Sequence, residues 1–340
     1  MLNATTKRVL ITGASGFIGG YLAEEAYKRG YEVWVAVRKN SNRSRLTQPG
    51  LHFIEIDYHS EEAVTRLANE TAPTTGEPAW HYVIHNAGIT KAKDAKEFVR
   101  INAEQTGRFA RGLAAAAVPP ELFLLMSSMG SYGPPAGAHE PLKSSQQQKP
   151  ANAYGKSKLL SEREVAGSGL PYIILQPTGV YGPGDRDYLL SLQAIAKGFD
   201  FITGPKPQLL TFVHAGDVAR AALFLLEQPE AQGKSYIISD GNSYTDIEYG
   251  KLAQELLQKK HVLHLRCPLG IVRIVCQIGE WWGHLTGRLS PLNKDKYTIL
   301  SQRNWLCDAT PLFELGFTPK YDLRSGLEET INYAKEKGLL

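Results

Sequence analysis

The sequence predicts an α/β fold, a doubly wound parallel sheet with a smaller, mostly C-terminal lobe. Three observations predict it. A short apolar run, Val9 to Ile11, breaks at Thr12 into glycines at positions 13, 16 and 19, and a helical pattern follows. Strand-like and helix-like stretches then alternate through the first half of the chain, the pattern of right-handed β-α-β crossovers. After Pro177 that rhythm breaks and proline, glycine and aromatic residues thicken, as expected of a lobe laid over the ligand edge of the sheet.

Residues 7–12 read as a strand and 17–29 as a helix, closed by Gly30 just past its end. The run 31–37 is β-branched and aromatic; 51–56 reads as a strand, 60–71 as a helix and 81–85 as a strand. One long helix is predicted over 94–117, its alanine-rich end stopped by Pro119-Pro120. Leu122 to Met126 is continuously apolar, the mark of a strand covered on both faces. A loop over 133–150, a helix over 152–167 and a strand over 171–175 follow. The strand-like stretches 209–213 and 235–239 flank a helix at 216–228 and are candidates to rejoin the sheet. The expected division is therefore 1–177 with about 209–240 as a dinucleotide-binding, Rossmann-type domain, and about 178–208 with 241–340 as a substrate-binding lobe.

With 340 residues the chain can bury a full core, and 21% charged residues is ordinary for a globular enzyme. The net charge of +4 comes from interspersed signs, so no nucleic-acid footprint is expected. Three cysteines, Cys267, Cys276 and Cys307, fit a reducing compartment without a disulfide framework. The first apolar run is too short for a signal peptide, and no stretch of about 18 uncharged apolar residues suggests a membrane span. A cytoplasmic location is expected. His139, His214, His261 and His264 lack ligand spacing, so no metal site is expected.

The glycine turn is built for a pyrophosphate. Gly13 permits the tight turn, Gly16 lets backbone approach the phosphates, and Gly19 lets the helix pack close to the sheet. The phosphates then meet free N–H groups at the helix N-terminus. At the end of the second strand stand Arg38, Lys39 and Arg43 with no carboxylate nearby, which favours a ribose 2′-phosphate and hence NADP(H) over NAD(H); a solvated basic loop is the plain alternative. Asp57 closes the third strand and is placed either to accept from the adenine amino group or simply to form a turn. Tyr154 and Lys158 stand at i and i+4 on a helix and share a face. An ammonium beside a phenol favours the phenolate, so this pair is expected to lower the tyrosine pKa and to exchange a proton with a carbonyl/alcohol oxygen. Ser127 and Ser128 lie just past a buried strand's C-terminal end, where ligands sit in open α/β sheets.

In this order on alternating elements, these motifs resemble the extended type of the short-chain dehydrogenase/reductase superfamily, in its epimerase/dehydratase-like branch, over nearly the whole chain. Thr12-Gly13-Ala-Ser15-Gly16-Phe17-Ile18-Gly19 resembles the cofactor motif, and His85-Asn86-Ala87-Gly88 the strand-end segment over the cofactor. By the same resemblance Asp57, Tyr58 and Ser127 join the cofactor site, and Gln176-Pro177-Thr178-Gly-Val180 closes over the nicotinamide. Ser128, Tyr154 and Lys158 match the catalytic residues, Asn102 falls where the family has a helix asparagine, and Phe212 to Asp217 resembles a later landmark. The helices at 94–117 and 152–167 would then form a homodimer interface. The sequence departs from the family at Gln176, where arginine is frequent, and at Gly216, often acidic. Met129-Gly130 replaces the Asp-Glu pair of sugar 4,6-dehydratases, which argues against water loss of that type.

The substrate side is less informative. Over 268–286, Ile271, Ile274, Val275, Ile278, Trp281, Trp282 and Leu285 fall on one helical face, with Arg273, Gln277, Glu280 and His284 opposite. Packing onto the lobe is the bland reading; an apolar lid or a membrane-surface contact are the functional ones. The end of the chain resembles members like 3β-hydroxysteroid dehydrogenases and dihydroflavonol reductases. The expected function is NADP(H)-dependent hydride transfer to or from a carbonyl or secondary alcohol of a small, hydrophobic substrate. A nucleotide-sugar 4-epimerase, with Arg186, Lys206 and Arg303 for a diphosphate, and a non-catalytic NADP(H)-sensing protein are the alternatives.

Overall fold

The computed structural model describes residues 6–135, 137–286, 290 and 294–340, with the backbone alone at 284 and 285. Seven parallel strands form the central sheet: β1 (Arg8–Thr12), β2 (Glu32–Ala36), β3 (His52–Ile54), β4 (Tyr82–His85), β5 (Leu122–Met126), β6 (Tyr172–Pro177) and Ser235–Ile238. From one edge to the other they run Ser235–Ile238, β6, β5, β4, β1, β2, β3, so the chain reverses direction across the sheet beside β1. That reversal point is where open α/β sheets bind ligands.

Both faces of the sheet are covered. Alternate residues of β1 and β5 point to opposite sides. Val9, Ile11, Leu122, Leu124 and Met126 join Leu22 and Ala26 of α1 (Phe17–Lys28) and Val218 and Ala222 of the helix Ala215–Leu225. Leu10, Phe123 and Leu125 join Val64 of α2 (Glu61–Thr71), Phe109 and Leu113 further along, and Val165. This two-sided burial accounts for the unbroken apolar run of β5. Local signals set the helix ends: Ser60 caps α2 by accepting from the Ala63 N–H, and Gly30 takes φ +80° just beyond α1.

Three expectations are corrected. The helix over 94–117 is a rod of three parts, α3 (Ala95–Phe98), a π turn over Val99–Glu104 and α4 (Gln105–Ala114); the wide turn carries Asn102. The stretch 209–213 does not rejoin the sheet. Leu209–Leu210 pairs antiparallel with Tyr244–Thr245, and Phe212–His214 pairs parallel with Gly179–Tyr181, while Ser235–Ile238 alone of the later stretches enters the sheet. Phe212 is drawn into the second core with Tyr181, Leu192, Tyr249 and Leu327, and strand propensity carries no information about that choice of partner. The third concerns the helix Leu269–Thr286. Its less exposed side is Val272, Cys276 and neighbours, whereas Ile271, Ile274, Val275, Ile278, Trp281 and Trp282 are exposed. The side chains of His284 and Leu285 lie outside the described residues.

The end of the chain returns to the sheet. Leu312 and Phe317 pack into the core over α1, and buried Asp217 accepts the backbone N–H groups of Lys320 and Tyr321 at 2.9–3.0 Å.

Candidate active site

The glycine turn folds as its sequence requires. Gly13 has φ +64°, and a β-carbon there would lie 2.8 Å from the backbone of Asn86 and Ala87 after β4. A β-carbon at Gly19 would overlap the Gly13 carbonyl oxygen, so α1 can pass this close to the turn only with glycine. Gly16 caps α1 with no side chain, and the first turn holds no acidic residue, which leaves N–H groups for an anion among Ser15, Phe17 and Ile18. Thr12 ties the two strand ends together: its hydroxyl accepts from the Ala87 N–H at 3.0 Å and bonds His85 Nδ1 at 2.9 Å. Asn86 donates to the Gly13 carbonyl at 3.4 Å. This cradle fits a dinucleotide pyrophosphate.

His85 is buried between Thr12 and Thr106, 2.9 Å from each hydroxyl, and burial pushes its imidazole down from 6.5 to about 3. Between those values the unfolded chain binds a proton that the folded chain refuses, so stability rises with pH and is lost as pH falls through this window. Going from pH 7 to pH 4 is expected to cost the wild type roughly 3 kcal/mol more than the His85→Asn variant, measured by urea unfolding. Equal losses would show that this imidazole does not govern acid stability.

Around the reacting centre, α5 (Ala153–Ala166) is capped by Asn152, whose side chain accepts from the Gly155 N–H at 2.8 Å. The Tyr154 phenol is partly buried, its ring edge-on to Phe98 at 5.9 Å, and a β-carbon at Gly130 would find Ser128 Oγ at 3.3 Å and the Tyr154 ring at 3.9 Å, so the two side chains stand side by side. Ser128 Oγ accepts from the Gly130 N–H at 3.1 Å, which leaves its own proton free to donate. Lys158 is buried on the same face of α5 and donates to the Met126 carbonyl at 2.8 Å. A β-carbon at Gly88 would find Asn102 Oδ1 at 3.0 Å and Lys158 Nζ at 3.6 Å, so both side chains converge on that backbone. Asn102 is held by Ile89, accepting from its N–H at 2.8 Å and donating to its carbonyl at 3.0 Å, and by Ser157 at 3.0 Å.

The expected depression of the tyrosine pKa is not what the structure has. Burial raises the Tyr154 phenol above 10, and the hydrogen bond with Ser128 works against that rise. Lys158 is itself pushed down to about 8 by burial, with Glu162 opposing, and its ammonium is engaged by the Met126 carbonyl. The low-dielectric surroundings penalise both charged forms.

Other assigned residues divide. Ser127 turns away from the cleft and donates to buried Glu162, which also accepts from Gln176 at 3.0 Å and from Gln148. The Thr178 hydroxyl is engaged by Thr211 at 2.8 Å, and the Tyr58 ring packs edge-on against Phe109 at 5.4 Å. Pro177 ends β6, and Val180 lies in the short strand that follows and packs against the sheet core. Arg38 is exposed beyond β2, Arg43 stacks on the Phe53 ring at 4.6 Å, and Asp57 accepts from the His59 N–H as a turn residue does.

Two residues escaped the sequence reading. Glu162 lies four and eight residues beyond Lys158 and Tyr154, a spacing that already placed it on their face of α5. Arg45, in the same basic loop as Arg43, lies 5.7 Å from the Phe17 ring and donates to the Pro183 carbonyl at 3.5 Å, joining the start of α1 to the loop beyond Gly179–Tyr181. Among the described residues no group of three or more His, Cys, Asp or Glu is arranged to hold a metal ion, and no helix is long and apolar enough to cross a membrane.

A family model described as the NAD dependent epimerase/dehydratase family matches residues 9–239. Ceramide reductase of Caulobacter vibrioides is 26% identical over 98% of this chain and 96% of its own length. Sterol-4-alpha-carboxylate 3-dehydrogenase of Dictyostelium discoideum is 25% identical over 95% of this chain and 99% of its own. The crystal structure of UDP-glucose 4-epimerase from Thermotoga maritima superposes with a TM-score of 0.75 at 21% identity, covering 97% of this chain and 99% of that one.

Proposed function

The chain belongs to the NAD-dependent epimerase/dehydratase family, and from that premise we propose that it is an NADP(H)-dependent oxidoreductase acting on the carbonyl or secondary alcohol of a hydrophobic substrate. The observation that carries the reading is the convergence of the Tyr154 ring and Ser128 Oγ beside Gly130, on the side of α5 where Lys158 and Asn102 meet Gly88. Gly13, Gly16, Gly19, Asn86, Ala87 and Gly88 would hold the dinucleotide, with Lys158 toward the nicotinamide ribose. When bound, the nicotinamide supplies or accepts the hydride. Ser128 donates to the substrate oxygen and fixes its position; Tyr154 gives that oxygen a proton in reduction and takes one from the alcohol in oxidation. The high phenol pKa keeps the proton in place until the oxygen becomes basic, which suits the reductive direction. Asn102 is a positioning residue that holds the Ile89 backbone beside Lys158.

The apolar substrate class is supported by two relatives named for a ceramide and a sterol. A turnover screen over aldehydes, ketones, sterols and nucleotide sugars tests the reading: NADPH consumption with an apolar ketone is expected. Sugar interconversion without net redox change would favour epimerisation, and cofactor binding without turnover across the whole panel would favour a sensor.

The preference for NADP(H) rests on Arg38, exposed beyond β2 without a carboxylate alongside. Arg38→Glu is expected to lower the preference for NADP(H) over NAD(H) by about tenfold or more, the worth of a charge-assisted contact to the 2′-phosphate. Equal affinities for both cofactors in the wild type would remove the argument. A cytoplasmic homodimer joined through α4 and α5 completes the proposal, with Leu160 of α5 left exposed.

A further inference from the structure

The helix Leu269–Thr286 is unusual among the described helices in turning its largest apolar residues outward. Ile274 is 56% exposed, Ile278 58%, Trp281 60% and Trp282 62%. At about 100° per residue, Ile271, Ile274, Val275, Ile278, Trp281 and Trp282 fill a sector roughly 120° wide, centred about 140° from the less exposed side at Leu269, Val272, Cys276 and Gly279. Arg273 and Gln277 occupy a third sector, also exposed. The helix packs chiefly on the helix Lys294–Leu300, and its apolar sector is left exposed. The strand Leu263–Cys267 that leads into the helix pairs with Phe199–Thr203, and this ribbon exposes Phe199, Phe201 and Leu263 as well.

The charge of the sequence segment that carries this helix is distinctive. Residues 259–303 contain eight lysines and arginines against Glu280 and Asp295, a net +6, while the whole chain is only +4. The remainder is therefore net negative, and the positive charge of the protein is concentrated on the segment that carries the exposed apolar helix. A second copy of the chain would bring like charge against like. An anionic bilayer instead offers an apolar interior for the isoleucines, an interface suited to the tryptophan pair and negative headgroups for the basic flank.

We propose that the helix Leu269–Thr286 lies in the plane of an anionic lipid surface and docks the protein there, its apolar face sunk to the headgroup–acyl boundary. The inference stands on the exposed face and the charge around it, independently of the chemistry assigned to Tyr154. It is tested by co-flotation of the full chain with phosphatidylcholine vesicles, with and without phosphatidylglycerol. Binding is expected with the anionic vesicles, falling at least tenfold in 0.5 M salt or without phosphatidylglycerol. The double variant Trp281→Ser/Ile278→Ser changes two exposed positions that belong neither to the glycine cradle nor to the Tyr154 group; it should keep its far-ultraviolet dichroism and NADPH binding and lose at least tenfold in vesicle partition. Three results would overturn the proposal: no flotation with either vesicle, equal partition of variant and wild type, or a concentration-dependent dimer that the double variant abolishes while vesicles capture neither form.

Discussion

Tyr154→Phe is expected to lower kcat about a thousandfold, within the 10²–10⁴ typical of a positioned acid/base group, and to leave NADPH affinity within about twofold. The substitution removes one oxygen and little else. The ring keeps its edge contact with Phe98, and α5 keeps its Asn152 cap, so neither fold nor cleft shape is disturbed. What disappears is the hydroxyl beside Ser128 and with it the proton that the substrate oxygen must receive. Stopped-flow or steady-state turnover on a substrate found in the screen, set beside cofactor titration by fluorescence, separates the two effects. A variant retaining more than a tenth of the wild-type kcat would remove Tyr154 from the chemistry.

A second large effect is expected far from that oxygen. Asp217 is fully buried at the start of the helix Ala215–Leu225, and its carboxylate accepts three hydrogen bonds from the Lys320 and Tyr321 N–H groups and one from Arg220. It thereby holds the returning end of the chain, with Phe317, against the core over α1. Asp217→Ala would leave the Lys320 and Tyr321 N–H groups without their acceptor, while Arg220, a third exposed, keeps the Thr318 carbonyl. The expected loss is about 3–5 kcal/mol of unfolding free energy, on the scale of breaking a buried charged hydrogen-bond group. Chemical denaturation at neutral pH measures it. A loss below about 1 kcal/mol would mean that the tail is held by its apolar contacts alone. The Phe212 to Asp217 landmark thus has a structural explanation in a latch between positions roughly a hundred residues apart, and none of its residues needs to touch a ligand for it.

The parts of the site visible in the sequence are those set by neighbours along the chain. Glycines three apart after an apolar run specify a turn and a helix start; Tyr154 and Lys158 share a face because a helix repeats every 3.6 residues; the uninterrupted β5 run announces cover on both sides. The misreadings have a common origin in contacts between distant segments. The π turn at Val99–Glu104 carries Asn102, which bonds both Ile89 and Ser157, and no local propensity encodes those distant partners. Ser127 and Ser128 are chemically identical neighbours, yet one donates to Glu162 of α5 and the other stands with Tyr154 beside Gly130. The pKa of Tyr154 followed burial rather than the adjacent ammonium, because the dielectric of a site depends on everything packed around it.

By itself the amino-acid sequence determined the α/β class, the glycine cradle and the pairing of Tyr154 with Lys158, since each follows from spacing within a single element or one turn. Only the tertiary structure decided that Phe212–His214 leaves the central sheet, that Asp217 grips a segment a hundred residues away and that the apolar stripe of Leu269–Thr286 faces outward. A periodic pattern states which residues share a face; what that face meets is decided by the free energy of the whole packed chain, in which every strand and helix competes for the same partners.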